Sequence, residues 1–310
     1  GSGQLARALV AAVEGSGGRI ECQTRPKRIL VEGGRAVGVE TADGRQLRAR
    51  QFIASGLNPQ QTFLELFDAA DIPAEWRRLA EGYRYNLLAP LFGTYLNLQA
   101  PVHYAAAADC PELDQALMVI LGLERSEQFL EIVEHHQLGT IPPTVMWGSC
   151  PTQFDPQQAP EGKHAAFMWE KLPFELAGNA ARWDQEKDRH GEQMIETWRE
   201  YAPSLQADLL DVTTRSPLDT ARRLPNMRFG DLLVGAMTRQ QMGFHRPFPG
   251  AGHYRGHLPG MYLCGSSCHP GGNITGMPGY NSAQVLLADL GIKVDWTPAA
   301  LLQRLPAADG

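Results

Sequence analysis

The sequence predicts an α/β (α+β) protein, and three observations carry that prediction. The stretch from Pro259 to Leu290 passes from a short apolar run through a glycine-rich loop into a helical pattern. Between Arg28 and Ser55, short strand-like segments are separated by Gly33-Gly34 and Asp43-Gly44, the punctuation of an antiparallel meander. From Asn58 to about Gly230, apolar and aromatic strand candidates alternate with helical ones, as expected of a sheet covered by helices.

Taken in order, Leu5, Ala8, Leu9, Ala12 and Val13 make a helical stripe closed by Gly15 and Gly17-Gly18. A strand is expected over Arg19-Ile20-Glu21-Cys22, then the meander strands Arg28 to Glu32, Ala36 to Thr41 and Gln46 to Ser55. The last of these ends Phe52-Ile53-Ala54-Ser55-Gly56, a strand running into a small-residue turn. Pro73 to Glu81 reads as a polar helix, and Asn86 to Gln99 as a strand despite Pro90 and Gly93. Ala116 to Leu121 is a further strand, and Glu127 to Leu138 an amphipathic helix with Phe129, Ile132 and Val133 inward. Strands follow at Thr144 to Ser149 and Ala165 to Leu172, then a charged helix from Asp184 to Tyr201 with Met194, Ile195 and Trp198 on its apolar side. Leu209 to Thr214 and Leu218 to Leu224 complete a strand and a short helix, so the middle reads as a mixed sheet with helices over it.

Length and composition bound the function. A chain of 310 residues suits about two domains with a sizeable core. The net charge of -6 supplies no basic field, which argues against nucleic acid as a partner. Cys22, Cys110, Cys150, Cys264 and Cys268 form no disulfide or zinc framework, which suits a reducing compartment and a cytoplasmic protein. No apolar run approaches the roughly 18 residues that span a bilayer; peripheral membrane contact stays open. His245, His253, His257 and His269 are spaced across loops in no metal-ligand pattern, so no metal is expected. Glu131 and His135 share a helix face that reads as solvated, and Cys264-x-x-x-Cys268 reads as buried thiols rather than a redox pair.

The glycine-rich stretch is the strongest chemical signal. Gly265, Gly271, Gly272, Gly276 and Gly279 let the backbone turn sharply and approach a ligand, and Pro278 sits near the first turn of the helix that follows. A strand end and a helix N-terminus expose unpaired N–H groups and partial positive charge, which suit phosphate or a developing anion.

The run Leu263-Cys264-Gly265-Ser266-Ser267-Cys268-His269-Pro270-Gly271-Gly272, followed by Gly276-Met277-Pro278-Gly279-Tyr280-Asn281-Ser282-Ala283, resembles the C-terminal FAD signature of the phytoene-desaturase-like flavoproteins, relatives of the amine oxidases. Arg246-Pro247-Phe248-Pro249-Gly250, Tyr254-Arg255 and Leu258 to Leu263 resemble that family's approach to the loop. Asn273 stands where a third glycine is usual and Cys268 where threonine is common. The resemblance implies FAD as cofactor. It assigns Gly265 to the pyrophosphate, His269, Pro270, Gly271 and Gly272 to the isoalloxazine, and Met277 to Asn281, Gly279 among them, to the helix N-terminus at the flavin edge, with Ser266 and Gly276 in the same cofactor-binding set. It places Val31 beside the adenine and Ala54 and Ser55 near the phosphates. The implied architecture is a partial FAD-binding Rossmann-like domain with an inserted mixed-sheet substrate domain: 1–57 and 231–310 for the FAD domain, 58–230 for the substrate domain.

The Rossmann fingerprint G-x-G-x-x-G after a first strand is not found. Gly1-Ser2-Gly3-Gln4-Leu5-Ala6 has its first two glycines, with Ala6 in the third place. The resemblance instead sets Gly1 to Gly3 at the family's internal glycine pair, which makes the chain look like the C-terminal portion of a longer flavoprotein. Either another polypeptide supplies the remainder, or the chain was cut, or the fold has re-closed. The function implied is an FAD-dependent oxidoreductase taking a hydride from an apolar or amine-bearing small molecule. The alternative is a non-catalytic or accessory chain that needs a partner with the dinucleotide-binding half. A complementing N-terminal polypeptide or a homo-oligomer is the partner expected. His269 is the candidate catalytic residue or a residue that fixes its loop, while Tyr95, Trp147, Phe167 and Trp169 line an apolar substrate pocket or pack a core.

Overall fold

In the computed structural model, which describes residues 1–293, the chain divides into two compact units. One unit holds Gly1–Arg25 and Arg84–Ala236, the other Pro26–Tyr83 and residues 237–293. In chain order the elements are α1 (Ser2–Gly15), β1 (Pro26–Glu32), β2 (Arg35–Thr41), β3 (Gln46–Arg48), β4 (Ile53–Ser55), α2 (Ala74–Glu81), β5 (Leu91–Leu98) and β6 (Val119–Leu121). Then come α3 (Gln128–Leu138), β7 (Met146–Ser149), β8 (His164–Lys171), α4 (Trp183–Tyr201), α5 (Leu205–Asp208), β9 (Leu209–Arg215), α6 (Pro217–Arg223), β10 (Met261–Leu263) and α7 (Met277–Asp289). Helix and strand mix as the sequence predicts.

The first unit is built on a five-stranded sheet in the order β6-β7-β8-β5-β9. The sheet expected to be mixed is antiparallel at every pairing, because each neighbouring pair of strands runs in opposite directions. Side chains alternate across a strand. On β5, Phe92, Thr94, Leu96 and Leu98 are therefore buried, with Ala166, Met168 and Glu170 of β8, while Gly93 and Tyr95 turn to the other face. The buried face meets α4, whose Trp183, Met194, Ile195 and Trp198 complete the core; Phe92 lies 5.5 Å from the Trp183 ring. Glu170 enters this core as an acceptor for His190 Nε2–H at 2.7 Å, both side chains 1% exposed. α6 starts with a capping box, Ser216 Oγ taking the Asp219 N–H and Asp219 the Ser216 N–H.

α3 differs from expectation. Its buried side chains are Gln128 and His136, and Phe129 is 58% exposed. Gln128 sets the orientation: Oε1 accepts from the Glu124 and Arg125 amides, and Nε2 donates to the Gly122 carbonyl at 2.8 Å. Three hydrogen bonds at the start of a helix outweigh one phenyl ring.

The second unit holds the meander β1-β2-β3 and a two-stranded sheet, β10-β4. The expected third meander strand breaks after Arg48: β3 stays in the meander, while β4 leaves it to run parallel with β10. The strand expected over Arg19 to Cys22 does not form; the segment finds no ladder partner, and Gln23 turns the chain with φ 56. The core of this unit is aromatic. Phe63 stacks on Phe67 at 6.2 Å and meets Trp76, Phe248 and His257 at 5.2 to 5.7 Å.

Candidate functional site at the paired strand ends

β4 and β10 pair as Ile53–Met261, Ala54–Tyr262 and Ser55–Leu263, and the ladder continues with the Cys264 amide donating to the Ser55 carbonyl at 2.9 Å. Both strands are parallel, so both carboxyl ends open on one side, which is where open α/β sheets hold ligands. Each end turns on a glycine, Gly56 and Gly265, and the turns touch. A Cβ on Gly265 would run into the Gly56 carbonyl, so only glycine lets the two turns approach this closely.

The loop after Gly265 is fixed from below. Arg246, fully buried, donates from Nη2 to the Ser266 carbonyl at 3.0 Å and from Nη1 to the Gln241 carbonyl at 3.3 Å. Gly271 packs over it: a Cβ there would sit 3.6 Å from the Arg246 Nε. Tyr254 ties the loop to α7, its hydroxyl donating to the His269 carbonyl and accepting from Asn281 Nδ2, both at 2.9 Å. Burial raises the Tyr254 phenol and outweighs the Asn281 hydrogen bond. At the far end, Arg255 holds Asp289 with two hydrogen bonds of 2.6 and 2.7 Å, and Tyr262 adds a third at 2.9 Å. The Arg255 hydrogen bond keeps the Asp289 carboxyl below its usual range and anchors the C-terminus of α7 to β10.

α7 is preceded by Gly276, which takes φ 67; its first turn carries no acidic residue, and the Met277 amide donates to Thr275 Oγ1 at 3.3 Å. Pro278 has no N–H, so Gly279 is the first-turn residue whose amide is left for a ligand. Asn273, at the usual position of a glycine, adopts φ 71, a left-handed conformation that asparagine tolerates better than most residues.

The structure brings most of the sequence-derived residues together. Gly265, Ser266, His269, Pro270, Gly271 and Gly272 form the loop, and Gly276, Met277, Gly279 and Asn281 the start of α7. Ala54 is exposed beside them on β4, while Ser55 is buried, its hydroxyl engaged with Thr62 Oγ1 and the Leu57 amide. Val31 lies in the meander, in a separate shallow cavity of about 170 Å³ with Arg28, Arg48, Asp68 and Asp71. The His269 side chain borders a cavity of about 190 Å³ with Phe244, His253 and Tyr254, and its Nδ1 is buried without a partner among the described residues. Burial raises the Cys264 thiol and pushes that of Cys268 up to about 12. Among the described residues, no group of three His, Cys, Asp or Glu side chains is placed to hold a metal, and no helix is long and apolar enough to cross a membrane. Sequence reasoning passed over Arg246 and Asp289 as site supports, since an exposed and a buried arginine are written alike.

In the first unit, Tyr95, Trp147, Phe167 and Trp169 share the sheet face away from α4. Trp169 Nε1 donates to the Tyr95 hydroxyl at 3.1 Å, and the Phe167 and Trp169 rings lie 4.4 Å apart. All four are half-buried.

No protein-family model matches the chain. Its matches among curated proteins include a phytoene desaturase, of the class the glycine loop resembles. It is 31% identical to a pyridine nucleotide-disulfide oxidoreductase domain-containing protein 2 of Mus musculus, over 94% of this chain and 50% of that protein. It is 28% identical to one of the subunits of the limonene dehydrogenase of Castellaniella defragrans, over 87% and 51%, and 26% identical to a lycopene-forming phytoene desaturase of Paracoccus, over 94% and 54%. The chain therefore spans about half the length of the curated relatives it matches. Among solved structures, an oxidoreductase from Methanosarcina mazei aligns over 92% of this chain and 53% of its own, with TM-score 0.47 and 15% identity.

Proposed function

We propose that the chain forms part of an FAD-dependent oxidoreductase of phytoene-desaturase-like type that takes a hydride from an apolar or amine-bearing small molecule. The observation that carries this reading is the meeting of two parallel strand ends at Gly56 and Gly265 beside the N-terminus of α7, which carries no acidic residue. A dinucleotide needs backbone that no side chain screens and amides aimed at its phosphates, and these turns fit that need. Gly265 and Ser266, with the Ala54-Ser55 turn, are the residues to hold the pyrophosphate. The Pro270-Gly271-Gly272 segment and Gly276, Met277, Gly279 and Asn281 are those to border the ring system, and Val31 the adenine end. When bound, FAD supplies the hydride acceptor.

The chain's own part is orientation and electrostatics. The first-turn amides of α7 favour negative charge at their end. Arg246 and Tyr254 hold the loop carbonyls of Ser266 and His269 away from the cofactor side. His269 offers an Nδ1 without a partner among the described residues as a group able to exchange a proton with a ligand, and its test is the pH profile of turnover in a His269→Gln variant. The aromatic sheet face is the substrate side. The relatives are about twice as long, so sequence equivalent to their other half, on the same chain or on a second polypeptide, is the partner that completes the nucleotide site.

The test is a spectrum of the purified protein, alone and after addition of FAD and of a polypeptide carrying the relatives' remaining half. Flavin bands retained through gel filtration are expected in the completed protein and are lost in Gly265→Val. Absence of bound flavin in every combination overturns the reading.

A further inference from the structure

The aromatic face of the first unit is flanked by two cations, Lys171 and Arg215. Cross-strand pairing sets Ile120, Trp147, Trp169, Gly93 and Arg215 in one row over five strands, and directly paired residues share a face. Phe167 and Tyr95 form the next row. Gly93 leaves a gap that the Tyr95 ring fills, since a Cβ there would lie 2.8 Å from the ring and its hydroxyl. The result is a continuous aromatic floor.

The cations stand at its two sides. Lys171 Nζ lies 5.7 Å from the centre of the Trp147 ring, and the Arg215 guanidinium 6.0 Å from that of Tyr95. Neither has an ion-pair partner among the described residues. Lys171 is the more desolvated, and burial pulls its ammonium below the usual lysine range, with Asp231 opposing. Asp231 does not close on it: that carboxylate is taken by the amides of Asn86, Leu233 and Gly235 at 2.8 to 2.9 Å and by Asn86 Nδ2. His136 lies near enough to couple with the Lys171 charge, and burial lowers its pKa. A half-buried ammonium over an aromatic floor, without its own carboxylate, is complementary to a ligand that brings one.

We propose that this face binds an apolar, carboxylate-bearing small molecule, its apolar body on Tyr95, Trp147, Phe167 and Trp169 and its carboxylate on the Lys171 ammonium. One ammonium on a flexible stem matches a single negative charge better than it matches a phosphate dianion. As an identification of the substrate class, this rests on the reading of the sheet face as the substrate side; as a binding site, it stands without FAD.

The test is calorimetric titration of the protein with naphthalene-2-carboxylate and with the neutral naphthalene-2-carboxamide, with and without added FAD. The carboxylate binds at least about tenfold more tightly, as expected of a charge-assisted contact in a partly desolvated site. Lys171→Met removes that preference and leaves carboxamide binding within about twofold, Lys171→Arg keeps it, and Trp169→Leu weakens both probes. Equal binding of the two probes, binding of neither, or a preference that survives Lys171→Met overturns the proposal; so does a preference carried by Arg215 alone, read from Arg215→Met. The carboxylate preference in protein that takes up no FAD, alone or completed by the relatives' remaining half, leaves this site standing and removes the flavin reading, and flavin uptake without the preference does the reverse.

Discussion

The five-stranded sheet of the first unit and the glycine loop of the second solve opposite problems. The sheet is held by side chains: Phe92, Met168, Trp183, Met194 and Trp198 fill one face, and strand alternation decides which residues those are. The loop is held by backbone. Its shape comes from the contact of Gly265 with Gly56 and from Arg246 and Tyr254 donating to its carbonyls. A side-chain core tolerates rearrangement of its loops, whereas a backbone cradle depends on small residues and a few buried donors. That difference sets both the size and the readout of each substitution.

The largest loss is expected at Trp183→Ala, which empties the centre of the sheet core and costs about 3–5 kcal/mol. Urea unfolding followed by circular dichroism measures it, and a loss below about 1 kcal/mol would break the claim that side chains hold this unit. Arg246→Met comes next. It leaves the Ser266 and Gln241 carbonyls buried without this donor, at about 2–3 kcal/mol, and proteolysis should then begin in the loop rather than in the sheet. Gly265→Ala forces the two turns apart for about 1–3 kcal/mol, with flavin retention falling more than stability. Should Gly265→Ala fold and bind as before, the cradle is looser than described. Asn281→Ala removes one hydrogen bond to Tyr254, worth about 1 kcal/mol, and lowers the melting temperature by a few degrees.

The smallest effect is that of pH. Burial among Phe63, Phe67 and Trp76 lowers the His257 pKa from 6.5, although its Nε2–H donates to the Asp71 carbonyl at 2.8 Å. The unfolded chain then binds a proton before the folded one does. Stability is therefore full above pH 6.5 and falls as pH drops from 6.5 toward the lower folded value. Burial lowers His136 of the first unit in the same sense. Melting temperatures of His257→Leu and His136→Leu across pH 5 to 8 separate the two contributions, each variant flattening the slope.

Much of this was legible in the chain. The order strand, glycine loop, helix from Met261 to Leu290 is local chemistry: apolar residues pair, glycines turn, and a proline near the first turn starts the helix. Most strands and helices of the first unit fall within a few residues of the apolar patterns that announce them, because period 2 and period 3.6 are properties of the backbone. α3 departed from that reading at Phe129, where the neighbouring Gln128 takes the buried position with three hydrogen bonds, while Ile132 and Val133 stay half-buried. The Arg19 to Cys22 strand failed because a strand needs a neighbour, and no local pattern supplies one.

What the sequence by itself determined was which segments are strand, helix or turn, and that a backbone-lined site lies after Leu263. Only tertiary structure decided that Gly56 and Gly265 meet, that Arg246 is buried beneath the loop, and that Ile120, Trp147, Trp169, Gly93 and Arg215 fall in one row. The reason is physical. Backbone propensity acts over a few residues, whereas register, burial and the pairing of charges are set by segments that meet only after the chain has folded.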